Sequence, residues 1–151
     1  MNLLRFALAT MLVVTACGGA ATAPSPAPIA TPAPAPTQTP MVKTMETSLG
    51  RVLVESQKGM TLYTWDKDGF AASQCYDACA TVWPPFLATE IKMAPGTIMG
   101  TLTLVARKDS TKQVSYNNQP LYFYRSDVAA GDVKGQGSQG FGALWAVVKN
   151  P

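Results

Sequence analysis

The chain has 151 residues, long enough for one domain, with 12 Lys and Arg against 9 Asp and Glu and a formal charge of +3. The basic residues are scattered, so the stripe that duplex binding needs to displace counterions is missing and no nucleic-acid partner is expected. Histidine is absent, which removes the usual general base, the commonest metal ligand and the proximal haem ligand together.

Residues 1–16 read as a signal peptide. Arg5 supplies a positive start, and residues 6–14 form an apolar run of signal-peptide length. A bilayer span takes ~20 residues, so this run is too short to cross one. It ends in Val14-Thr15-Ala16-Cys17, which resembles a bacterial lipobox. The resemblance implies that the Cys17 thiol carries a diacylglycerol and that cleavage leaves Cys17 first. Each buried methylene contributes ~0.8 kcal/mol, and two chains suffice for stable anchoring. The membrane is therefore an expected partner, through the lipid. The expected location is the cell envelope, on the extracytoplasmic side of a membrane.

Residues 17–44 read as a lipid-anchored linker rich in Ala and Pro. Seven of the 12 prolines lie between residues 19 and 40, and no charge occurs between Arg5 and Lys43. Proline removes backbone donors and favours extended polyproline II, so no packed core is expected here and the linker is read as disordered. At ~3.1 Å per residue, residues 17–40 can reach ~70 Å. The stretch is a tether that holds a domain away from the lipid.

The folded domain is placed at residues 45–151. Residues 51–55 make a short β-rich run, residues 56–59 a turn, and residues 60–65 a second strand. Residues 101–107 alternate cleanly, residues 108–111 turn, and residues 113–116 return. Asn117-Asn118 tolerates positive φ and marks a tight turn. Residues 120–124 follow, with proline where a missing donor does least harm. Residues 143–148 close the chain. Six strands are thus expected, with one short helix over residues 73–82.

One phrase occurs twice. Leu62-Tyr63-Thr64-Trp65-Asp66-Lys67-Asp68 and Leu121-Tyr122-Phe123-Tyr124-Arg125-Ser126-Asp127 both read Leu-Tyr-x-aromatic-x-x-Asp. Strand side chains alternate, so Tyr63 and Trp65 share one face, and Tyr122 and Tyr124 share its equivalent. Trp83 and Trp145 continue the repeat. The fold class is mainly β: an antiparallel sheet from two pseudo-repeated units, residues 45–99 and 100–151. A lone hairpin is marginal in water, so the halves are expected to pack their aromatic faces together.

These residues resemble a family of bacterial lipoproteins with a Y-x-(F/W/Y)-x-x-D motif, the secreted repeat of unknown function. The first unit carries Thr61-Leu62-Tyr63, Trp65, Asp68, Ser73, Cys75, Cys79-Ala80 and Trp83-Pro84-Pro85. The second carries Gln113-Val114, Tyr116-Asn117, Pro120-Leu121-Tyr122, Tyr124, Asp127, Gly131-Asp132, Gly135-Gln136-Gly137 and Trp145. Asp77 and Asn118 stand where the family often has Gly. The resemblance implies the two-repeat fold and transfers no settled activity.

Cys75 and Cys79 are read first as a disulfide, since two nearby cysteines in an exported protein usually pair. A loop of about five residues gives ~2 kcal/mol in the chain-entropy model, a local clasp. A redox pair or a soft-metal site that borrows a methionine thioether is the alternative. Asp68 and Asp127 end the motif strands. Either they accept hydrogen bonds from turn amides, or they form a ligand site with Tyr63, Trp65, Tyr122 and Tyr124. Gly135-Gln136-Gly137-Ser138-Gln139-Gly140 matches a dinucleotide fingerprint but lacks the strand before it and the helix after it, so it reads as a loop. Without histidine a Ser or Cys triad has no usual base.

No enzyme, cofactor or metal is therefore expected. The leading reading is a tethered binding or structural lipoprotein with an envelope protein or small molecule as partner. The alternative is an envelope component that transfers electrons or binds copper.

Overall fold

A computed structural model describes residues 41–93 and 98–150. The expected signal peptide, Cys17 and nearly all of the expected linker lie outside these residues. The strands are β1 (Val42–Thr47), β2 (Gly50–Glu55), β3 (Tyr63–Trp65), β4 (Leu102–Ala106), β5 (Lys112–Tyr116), β6 (Gln119–Pro120) and β7 (Trp145–Val147). One short helix, α1 (Ala78–Val82), lies between β3 and β4. All strand pairings are antiparallel. The mainly β class with a short helix is what the chain adopts.

β1 was not expected as a strand. It begins before residue 45, and Val42 is fully buried at its start. Its side chains do not alternate between apolar and polar, so the sequence carries no period-2 signal there. α1 is shorter than the expected helix over residues 73–82. Cys75 and Cys79 are joined, and Asp77 sits at φ 51°, so helical geometry starts only after it. β6 is shorter than expected because Tyr122 leaves the hairpin for Tyr63, while Leu121 keeps one bond to β5, its N–H donating to Val114 O.

The two repeats exchange their last strands. β7 belongs to the second repeat but pairs with β3 of the first, Tyr63 opposite Val147 and Trp65 opposite Trp145. The stretch after Trp83 belongs to the first repeat but bridges the second, Pro85 to Tyr122 and Leu87 to Gln113. Each exchange closes a three-strand ring of backbone bonds. Leu62 N–H donates to Leu53 O, Leu53 N–H to Val148 O and Val148 N–H to Leu62 O, at 2.8–3.0 Å. Leu121 N–H donates to Val114 O, Val114 N–H to Phe86 O and Phe86 N–H to Leu121 O, at 2.8–2.9 Å. The second ring repeats the first residue for residue. A pseudo-twofold axis relates them, and it runs between Tyr63 and Tyr122, which exchange both backbone bonds at 2.9 Å.

The central strands are buried on both faces, which is why they read as continuous apolar runs. The six ring residues Leu53, Leu62, Phe86, Val114, Leu121 and Val148 point into one mostly aliphatic core, with Val42 and Leu102. Their neighbours Val52, Val54, Tyr63, Tyr122, Trp145 and Val147 point the other way, into an aromatic core with Trp65, Trp83 and the cysteines. Alternation along one strand therefore sorts residues between two interiors.

Candidate functional site

The duplicated phrase places its residues on the pseudo-twofold axis, and there they cross. Tyr63 Oη donates to Asp127 Oδ2 at 2.6 Å, and Tyr122 Oη donates to Asp68 Oδ2 at 2.7 Å. Each repeat's tyrosine thus binds the other repeat's aspartate. Each aspartate also closes its own loop: Asp68 Oδ1 accepts from Gln74 N–H at 2.7 Å, and Asp127 Oδ1 from Lys134 N–H at 3.0 Å. The turn role and the cross-repeat role are held by the two oxygens of one carboxylate. Asp127 is buried and Asp68 is half-buried. Burial pushes both carboxyls above the usual carboxylate range, although the tyrosine and amide donors pull them back. Burial, with the neighbouring carboxylate, also pushes both phenols up.

The aromatic members form a column. Tyr124, Trp83, Trp145 and Trp65 stack in that order, with centroids 4.3, 3.9 and 4.9 Å apart. The central tryptophans are nearly parallel, at 2°. Tyr63 meets Trp83 edge-on at 5.4 Å, and Tyr122 meets Trp145 edge-on at 5.1 Å. The negative ring faces and positive edges favour both arrangements. All six candidate ligand residues are therefore in or against one cluster: Tyr63, Trp65 and Tyr122 buried, Tyr124 half-buried, and both aspartates at its rim.

The two loops after the aspartates cover this cluster differently. In the first repeat the cover is α1 with the Cys75/Cys79 disulfide, both cysteines buried, Cα atoms 5.2 Å apart. In the second it is the glycine-rich loop. A Cβ on Gly135 would lie 2.7 Å from Trp83 Cη2 and 3.0 Å from Tyr63 Cε1, so only glycine lets the backbone come this close. Gly140 O accepts Trp145 Nε1–H at 2.9 Å. The glycine spacing thus serves ring packing, and the loop reading of that motif holds.

Sequence reasoning missed the polar chain behind Tyr122. Arg107 is buried and donates through Nη1 to Ser73 Oγ at 2.7 Å and Gln113 Oε1 at 2.6 Å, and through Nη2 to Cys75 O at 2.9 Å. Ser73 Oγ lies 2.8 Å from Tyr122 Oη. The phenolic proton is committed to Asp68, so Ser73 is the donor there. Arg107 also packs over the Tyr76 ring at 4.4 Å. The only hint in sequence is a cation directly after an alternating apolar strand.

Hollows of about 300, 440 and 420 Å³ lie elsewhere, where Leu87 meets residues such as Met41, Glu55, Phe123 and Lys112. None of the six candidate residues lines these hollows. Both domain cysteines are in the disulfide. Among the described residues, no group of three or more Cys, Asp or Glu is placed to hold a metal.

The strand exchange and the crossed pairs define a two-repeat β module whose repeats complete one another. Both repeats match the family described as a secreted repeat of unknown function, at residues 43–86 and 103–149, more than half of the chain. The chain belongs to that family. No curated protein and no solved structure matches it significantly.

Proposed function

We propose that the protein is a non-enzymatic module of the bacterial cell envelope, anchored through lipid on Cys17 at the extracytoplasmic side of a membrane. The observation that carries the non-enzymatic half is the inward closure of the polar groups. Each motif aspartate has both oxygens occupied, and each motif phenol is bound to a carboxylate. A general acid or nucleophile needs a free face toward a substrate, and these groups have been turned toward each other. Their role in this reading is to lock the repeats together and hold a rigid surface for a partner. The Cys75–Cys79 bond supports the structural reading of the cysteines over copper binding, since a bonded pair offers no thiolate ligand.

The anchoring half rests on the leader, the lipobox-like Val14-Thr15-Ala16-Cys17 and the proline-rich stretch that leads into β1. Metabolic palmitate labelling tests it. The wild type is expected to take label and to sediment with membranes. Cys17→Ser is expected to take none and to leave the membrane fraction. Label that persists in Cys17→Ser contradicts the anchor.

A further inference from the structure

Tyr63 and Asp127 carry chemistry that a purely mechanical lock does not use. A buried phenol donates directly to a buried carboxylate at 2.6 Å. The same phenol ring touches Trp83 edge-on, and Trp83 is the second ring of a four-ring column. The column runs from half-buried Tyr124 into the core. We propose that Tyr63 and Asp127 form a proton-coupled redox site, fed through the ring column by an outer-sphere one-electron oxidant of high potential acting at Tyr124.

The step balances as follows. The oxidant gains one electron, which leaves Tyr63 through Trp83 and Tyr124. The phenolic O–H bond breaks, and the proton bonds to Asp127 Oδ2. The products are a neutral tyrosyl radical, a carboxylic acid and the reduced oxidant. An outer-sphere one-electron reductant returns the electron by the same rings, and the proton moves back to the phenolate oxygen.

Burial supplies the driving force. Before the step the pair holds a carboxylate charge away from water, and afterwards it holds none. Neutralising a buried charge is favourable, whereas an exposed tyrosine gains nothing of the kind. The two pairs are unequal in this respect. Asp68 shares its network with the buried Arg107 cation through Ser73 and Tyr122, which offsets part of its charge, although Arg107 also pairs with Asp109 at 3.4 Å. Beside Asp127 stand Asp132 and Lys134, and the Lys134 ammonium is half-exposed and bound to Asp132 at 2.9 Å. Tyr63 is therefore the easier phenol to oxidise. This inference does not rest on the lipid anchor or on a binding role.

The test is flash-quench oxidation of the full chain with a photogenerated ruthenium(III) polypyridyl, read by transient absorption and freeze-quenched electron paramagnetic resonance. A neutral tyrosyl radical is expected, formed more slowly in D2O. Tyr63→Phe is expected to lose most of that signal and to retain tryptophan radical, while Tyr76→Phe leaves the signal intact. Asp127→Asn keeps the phenol but removes the base, so radical formation there is expected to slow several-fold. Near-ultraviolet circular dichroism of the stacked tryptophans shows that each variant keeps the column. An undiminished tyrosyl signal in Tyr63→Phe, or a wild-type rate that D2O does not change, overturns the proposal. So does a radical confined to exposed rings.

Discussion

Each motif aspartate does two things at once, and its titration records the contest between burial, which raises it, and its two hydrogen bonds, which lower it. Burial holds the Asp127 carboxyl above the usual range. Ionisation of this group therefore opposes folding. Its contribution is most favourable below about pH 4, near the ordinary Asp value, and declines as pH rises through the elevated one. Asp127→Asn lacks this titration. The stability of the wild type relative to Asp127→Asn, from urea unfolding, is expected to fall over the window that opens at about pH 4 and rises through the elevated value. A relative stability that climbs over that window contradicts the assignment. Asp132 behaves in the opposite sense. Its bond with Lys134 and the N–H groups of Ala129 and Val128 hold it down to about 2. Its contribution is present above about pH 4 and is lost as pH falls toward that depressed value.

At the level of elements, two loops carry residues that the backbone constrains. Asp77 precedes α1 at φ 51° and ψ −122°, a conformation that glycine adopts without cost. Its side chain makes no cap bond, so nothing is lost with it. Asp77→Gly is expected to stabilise the domain by about 1 kcal/mol, as strain relief exceeds the added freedom of the unfolded chain. A drop in the thermal midpoint contradicts this. Asn117 and Asn118, at φ 48° and 67°, meet a similar demand with residues suited to it, and give the tight turn between β5 and β6. The glycine loop shows the converse constraint. Gly135→Ala drives a methyl group into Trp83 and Tyr63, and is expected to cost about 1–3 kcal/mol by overpacking. Denaturant unfolding measures it, and an unchanged midpoint would show that the loop does not seal the column.

For the whole molecule, the sequence revealed the parts better than their assembly. The Leu-Tyr-x-aromatic-x-x-Asp phrase located β3, the strand stretch at Tyr122 and both aspartates, because an apolar and aromatic run that ends in Asp, repeated in one chain, is readable without the fold. Trp83 and Trp145 showed that the repeat runs on past the aspartate. β1 was not legible, since its burial comes from tertiary packing rather than from any alternation of its own. The exchange of last strands was not legible either. A local pattern records which face is buried, and it is silent on which repeat supplies the cover. Arg107 escaped notice for a related reason. Its partners Ser73, Cys75 and Gln113 come from two different repeats, and only the fold brings them together. The two-ring, two-core arrangement thus belongs to the pair of repeats and to neither alone.

That interlocking can be measured with paired double-mutant cycles in urea. The first joins Tyr63→Phe with Asp127→Asn, across the repeats. The second joins Tyr63→Phe with Asp68→Asn, within one repeat. Crossed pairing predicts a coupling of about 1–3 kcal/mol in the first cycle and under ~0.5 kcal/mol in the second. The larger coupling inside the single repeat, with additivity across the two, would contradict the crossed lock.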